Sequence, residues 1–505
     1  MFNISLYNLV ILIKIMVSIK LKLKLNWLYL KFMLLYHSFI IRLGRDMKKF
    51  AKILICLILC VFTIGLTACG KKDKFPYPSS SEITYSNGGL AVRKGNYLYY
   101  VNGYMSANDM QDKKATYTVG ALMVAKLDAN GNMVVDSNKL MMEDYYRTMS
   151  NKLCGFEATN LFIFGDYLYF TSPCLENESG KNGEWAKTRV VFYRVKLDNS
   201  GKVEEIYTSN TSNANLEYSY YNYNGATYLL VYEKGASISD SNINNRLVRI
   251  SVGDKKVGKS EQVSLDVSGI VMPKETANES NNSAKFAHNS IFYTKSENSK
   301  QSLYRYNVIS NESTKVGSYN DLTLNFVVEG KLFATMSTEY ANSKNLCVAT
   351  ISGTNLTFNT AWSSTDLYSN VYLSNEGEVV IAVKSNGQVS AKWLGESSSR
   401  VLFTEADEVH AIGFANGSFI YYDKNNNVKS FSYSNFFKGE SVEVKTLATL
   451  TNANTNHFDL NDDYMYFYQK VGENYYLHRL QISGNEGNKA QEMFGVYLSA
   501  DIPTE

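Results

Sequence analysis

Cysteine is the side chain with the most chemistry to offer in this chain of 505 residues, and its six copies stand in unlike settings. Cys69 directly follows Leu66-Thr67-Ala68. Upstream lie a basic Met47-Lys48-Lys49 and an apolar run from Ile53 to Ile64 that contains Cys56 and Cys60. A basic segment, a greasy segment and a small-residue site in that order are the parts of a removable export signal. Cys154 and Cys174 flank the alternating stretch Leu161–Thr171, so a short hairpin there would bring both thiols to one end of a sheet. An exported compartment permits oxidation. The pair is expected either as a disulfide worth roughly 3 kcal/mol in the chain-entropy model or as two separate thiols. Cys347, inside the apolar stretch Leu346–Ile351, reads as a small core residue.

Other chemistry is thinner. His288, His410, His457 and His478 form no HExxH or HxH pattern and neighbour no cysteine pair, so they are expected in turns and strands, with no metal site. Asp128-Ala129-Asn130-Gly131-Asn132 has the spacing of a calcium-loop start but lacks the distal glutamate, and a hairpin turn accounts for it. No GxSxG occurs, and scattered Ser, His and Asp residues define no triad. No catalytic residue and no cofactor is assigned.

The run into Cys69 resembles a bacterial lipoprotein signal with its lipobox. The resemblance implies cleavage before Cys69, diacylglycerol on its thiol, and a protein held on the outer face of the cytoplasmic membrane, the cell surface in a Gram-positive organism. Residues 47–68 are then the signal peptide and 69–84 a Lys, Pro and Ser-containing tether. Residues 1–46 are expected to be mis-assigned upstream translation, because starting at Met1 would bury the signal deep inside the chain. Their lysines at 14, 20, 22, 24 and 31 interrupt every apolar run, short of the ~18 residues of a membrane span. Residues 1–68 hold 10 of the 51 Lys and Arg and one of the 48 acidic residues, so the remainder carries about −6. No basic cluster survives beyond Lys71-Lys72, and nucleic-acid binding is excluded.

The elements that must position any site are short strands. Proline is scarce, while Tyr, Val, Ile, Thr and Phe recur in alternating runs. One unit repeats: an apolar strand, a Gly, Asn or Asp turn, then an aromatic-rich strand. The aromatic strands begin at Tyr97, Tyr167, Thr227, Ile291, Lys331, Val379, Ser418 and Tyr464, spaced by 70, 60, 64, 40, 48, 39 and 46 residues. A third strand follows most of them, as in VFYRVKL from Val191 and YLHRLQI from Tyr476, and often a fourth, as in Val203–Tyr207. Four antiparallel strands per repeat predict an all-β fold, a β-propeller over residues 85–500 with eight four-stranded blades. Seven blades remain open because repeats three, five and six are weaker, and a pair of β-sandwiches is the structural alternative.

The stretch SNGGLAVRKGNYLYYVNGY, Ser86 to Tyr104, is similar to the exported β-propeller repeats of lipoproteins from low-GC Gram-positive bacteria, and more loosely to the TolB propeller. That resemblance implies fold and address but carries no activity.

Loop length supplies the functional expectation. In a blade, the loops after the second strand and the links between blades emerge on one face. The long segments Asn102–Thr116, Ser172–Arg189, Glu233–Asn245, Asp136–Ala158 and roughly Asp266–Ala284 are all expected there. Long loops on a rigid scaffold are where binding resides. Tyr104, Tyr145, Tyr146 and Trp185 in or beside them are candidate ligand-binding residues, able to stack on sugars or anchor a partner. The reading is a membrane-anchored, non-enzymatic monomer that binds an extracellular protein or glycan through this face. The rivals are a glycan-active hydrolase with carboxylates at the channel mouth and an envelope assembly scaffold.

Overall fold

The computed structural model describes Pro78, Glu82 and residues 84–493, apart from 105–118, 135–136, 142–154, 175–187, 198–201, 224–225, 236–244, 254–255, 273–289, 329, 339–343, 353–355, 365–369, 376, 406–407, 434–440, 462, 473 and 484–490. Among the described residues no helix is long and apolar enough to cross a membrane.

Eight antiparallel sheets follow one another along the chain, over 84–140, 162–212, 216–265, 267–319, 323–364, 370–404, 410–449 and 453–493. Each is a meander in which every strand pairs with the one before it. Seven sheets have four strands; the first has a fifth, Thr84–Ser86, beside Ala91–Lys94. Neighbouring sheets touch through their first strands, as Val267–Val271 does with Thr323–Val328 and His410–Ala415 with Ala453–Asn461. The protein is therefore an eight-bladed β-propeller, with first strands innermost.

All eight aromatic strands expected from the sequence are second strands of blades. Their near-continuous apolar runs follow from burial on both faces by adjacent blades: Tyr97–Val101 and Val379–Val383 are buried at every position. Fourth strands lie at the rim and are polar, as in Val257–Leu265. The turns between first and second strands need positive φ, met by Gly95 and Gly165 and by the pair Asn416-Gly417.

The core is a set of inter-blade layers instead of one central mass. Phe162, Tyr169 and Phe192 of blade 2 pack on Tyr220, Leu229 and Val248 of blade 3. Comparable clusters join each later pair, and Leu98 and Tyr100 of blade 1 pack with Tyr466, Tyr468 and Leu477 of blade 8. Among the described residues the ring closes without exchange of a strand between first and last blades. Instead, Tyr104 and Tyr475 exchange backbone hydrogen bonds of 3.1 and 3.2 Å, and their rings stack at 4.7 Å. Leu90 N donates to Asp459 Oδ2 at 2.9 Å, and Asn461 Nδ2 donates to the Ala91 carbonyl at 3.0 Å. On its other side blade 1 meets blade 2 where Asn87 Nδ2 donates to the Ile163 carbonyl and Ile163 N donates to Asn87 Oδ1.

One expected loop is corrected. Residues 266–284 are not a link between blades. Asp266, at φ 55°, alone joins the fourth strand of blade 3 to Val267–Val271, the first strand of blade 4. The long segment is 272–289, which connects the first and second strands of blade 4, a connection of the class expected on the opposite face. Of the other four segments, 102–116, 172–189 and 233–245 each run from a second strand to a third, whereas 136–158 is not a plain link: it contains Lys139–Leu140, the fourth strand of blade 1, and only the residues after that strand join blade 1 to blade 2. The ends of the second strands and the starts of the third define one face of the ring.

Candidate functional site

On that same face a cleft of about 280 Å³ opens between blades 6 and 7. It is built by strand ends. Asn370–Leu373 and His410–Ala415 are the first strands of the two blades, and Val379–Val383 and Ser418–Tyr422 their second strands. Register sets the wall, because His410 is the cross-strand partner of Tyr422 and their rings stack at 4.7 Å and 16°. Tyr372 completes it, with its ring 5.7 Å from that of Phe419. Burial raises the Tyr372 hydroxyl's pKa, opposed by a hydrogen bond from Asn370, so the phenol is neutral and can both donate and accept.

The rim is polar: Asn370, Lys384, Ser385 and Glu408 line it. The Glu408 carboxylate lies 3.7 Å from His410 Nε2 and is 70% exposed. Beside the cleft, Lys429 Nζ donates to both oxygens of Glu405 at 3.1 Å and sits 3.1 Å from Asp423 Oδ2. Tyr421 Oη donates to Glu405 as well. Burial works against charge on Lys429, but its bonds to Glu405 and Asp423 prevail and raise its pKa. Burial likewise opposes the Asp423 carboxylate, yet hydrogen bonds from Asn427, Lys429 and Asn425 hold it below the usual carboxylate range. The network fixes the blade 7 side of the cleft.

A second polar group lies at the closure between blades 8 and 1. Asn454 Nδ2 donates to Tyr104 Oη and reaches Glu157 Oε2 at 3.5 Å. Burial lowers the pKa of nearby His457, partly countered by the Glu157 charge.

Of the residues singled out in the sequence, Cys69, Cys154, Tyr145, Tyr146 and Trp185 lie outside the described residues. Tyr104 is 4% exposed, and its ring serves the closure, stacked on Tyr475 and edge-on to Tyr468 at 5.0 Å. Cys174 is half-buried just after the second strand of blade 2. Cys347 is buried in Lys344–Thr350, and burial raises its thiol pKa. Asp128 caps its own turn, its Oδ1 accepting from the amides of Asn130 and Asn132 at 2.8 Å. The same D-x-N-x-N turn recurs at Asp423, accepting from Asn425 and Asn427. His478 is buried, with its Nδ1 3.0 Å from the Tyr476 carbonyl. His410 is the cleft residue that sequence reading passed over, and the acidic link before it, Glu405-Ala406-Asp407-Glu408, is the signal that marks the place.

No family model and no curated protein matches this chain. Among solved structures it is similar to the C-terminal WD40 domain of Sif2, at 8% identity over 81% of this chain and 100% of that one, with a TM-score of 0.41. It is also similar to the β-propeller domain of the Trilobed protease from Pyrococcus furiosus, described as having an open velcro topology. That likeness is 10% identity over 65% of this chain and 95% of that one, with a TM-score of 0.37. TolB from Acinetobacter baumannii gives 11% identity over 60% and 78%, with a TM-score of 0.26. Likenesses this distant add nothing beyond the fold, and the assignment rests on the eight sheets themselves.

Proposed function

We propose that this protein is an exported, lipid-anchored binding propeller that holds a saccharide in the cleft between blades 6 and 7. The observation that carries the reading is the placement of an aromatic-walled, polar-rimmed cleft on the face where the second strands end and the connections to the third strands begin, the long ones of blades 1, 2 and 3 included. A pyranose ring has an apolar face and a rim of hydroxyls. Tyr372 and His410, the latter stacked on Tyr422, offer ring surface to the first, while Tyr422 also leans on Phe458 of blade 8 at 5.4 Å. Asn370, Ser385, Lys384 and Glu408 offer donors and acceptors to the second. The volume suits one or two sugar units and approaches the lower end of the ~300–1,000 Å³ typical of ligand sites.

The anchor rests on the Leu66–Cys69 motif. Titration of the purified full chain with short β-linked glucose and glucosamine oligomers tests the site. Tyr422→Ala should weaken binding by about tenfold or more, consistent with loss of an aromatic platform. Binding that is indifferent to Tyr422→Ala in a folded variant would move the site elsewhere. Labelling of expressing cells with an alkyne fatty acid tests the anchor, with label expected on the wild type and lost in Cys69→Ala.

A further inference from the structure

We propose that the saccharide unit recognised by the cleft carries a free amino group. This inference rests on the saccharide reading and goes further by naming the group that selects the ligand. Among the described residues, Glu408 and Lys384 line the cleft and Glu405, Asp423 and Lys429 stand beside it, three carboxylates against two ammonium groups. Lys429 is spent on Glu405 and Asp423 together, so this part of the wall keeps a net charge of −1. Glu408 differs from those two carboxylates in being open to solvent at the rim, beside the face of the His410–Tyr422 stack. A carboxylate next to aromatic faces is the surrounding an ammonium group prefers, since ring quadrupole and charge attract it together. A neutral hexose gains only the stacking and the hydrogen bonds. An N-acetylated one loses the charge and adds bulk to a cleft of about 280 Å³.

The test uses the full chain and three tetramers of matched linkage: glucosamine, N-acetylglucosamine and glucose. Isothermal titration is run at about pH 6, where the sugar amine is charged and a glutamate carboxylate is ionised, at low and high salt. The glucosamine tetramer should bind about tenfold tighter than the other two, the order of one favourable charge contact. That preference should shrink with salt and collapse to near equality in Glu408→Gln. Tyr422→Ala should weaken all three, and Tyr422→Phe, which keeps the ring, should retain the preference. Equal binding of the three tetramers, or a preference that survives Glu408→Gln, overturns the amino-group inference and leaves the saccharide reading standing. Absence of binding by all three overturns both. Thermal unfolding of each variant separates lost contacts from lost fold.

Discussion

A recurring trio of side chains ties one blade to the next. Arg194 stacks on Tyr167 with its Cζ 4.1 Å from the ring centroid and bonds Glu204 at 2.9 Å. Its Nη1 donates to the Gly253 carbonyl of blade 3 at 2.8 Å. Arg249 repeats this with Tyr228, Glu261 and the Val308 carbonyl of blade 4. Arg479 repeats it with Tyr464 and the Gly131 carbonyl of blade 1, and Glu492 stands opposite in register. Planar guanidinium suits all three partners at once, which an ammonium group cannot do. Arg194→Ala would leave a turn carbonyl without its partner and Glu204 with only the exposed Lys202, 3.5 Å away. Complete burial of such a pair makes that loss worth 3–5 kcal/mol. Because the Glu204 side chain is 29% exposed, the expected cost is nearer ~2–3 kcal/mol. Arg194→Lys should recover less than half. Urea unfolding of the two variants checks this, and a loss under ~0.5 kcal/mol in Arg194→Ala would show that the trio is incidental.

Elements explain which parts of the fold were legible beforehand. The second strands stood out because burial on both faces makes them apolar throughout, and tight turns demand Gly or Asn before them. The first strand of blade 4 was hidden for the opposite reason. Val267–Val271 carries Ser268 and Gly269, and the single-residue link at Asp266 leaves no turn signature. The cleft was illegible because it joins four places in the chain, 370–372, 383–385, 408–411 and Tyr422, that only strand pairing and blade stacking bring together. The Arg trio needed register, since its members stand at constant cross-strand positions but variable sequence distance.

Two glycines test the element scale directly. A Cβ on Gly103, at φ 105°, would lie 1.8 Å from the Tyr475 carbonyl oxygen, whereas one on Gly165, at φ 56°, meets nothing within 4 Å. Gly165→Ala should cost about 1 kcal/mol, the price of the left-handed backbone alone. Gly103→Ala should cost more than ~3 kcal/mol because it also pries blades 1 and 8 apart. Equal costs in calorimetry would mean that the closure contact contributes nothing.

For the whole molecule, the buried titratable groups define a pH window. Burial lowers the pKa of His457 and His478. Between their folded and unfolded values the unfolded chain binds more protons, so stability is complete above about pH 6.5 and declines as pH falls below it. Hydrogen bonding from Arg194 lowers Glu204. Its contribution is present above the ordinary glutamate range and is lost as pH drops further, through the folded value. Tyrosines act at the other end. Burial raises Tyr100, Tyr468 and Tyr306, and pushes Tyr232 up to about 12. The unfolded chain then ionises first, and stability falls as pH rises above about 10. Melting temperatures across pH 5 to 11 should plateau between about 6.5 and 10. In a double His457→Gln, His478→Gln variant the first acidic decline should disappear, and its persistence would assign it to other groups.

Each blade is written in one unbroken piece of chain, the last as much as the first. A gene segment copied or deleted in frame therefore adds or removes a whole sheet and never strands half of one in a neighbour. Paddle number becomes a quantity that lineage history can change in single steps, with the burden of adaptation falling on the contacts around Tyr104 and Tyr475. Related chains with one paddle more or fewer, and with substitutions gathered at that seam, are what such a design leaves behind.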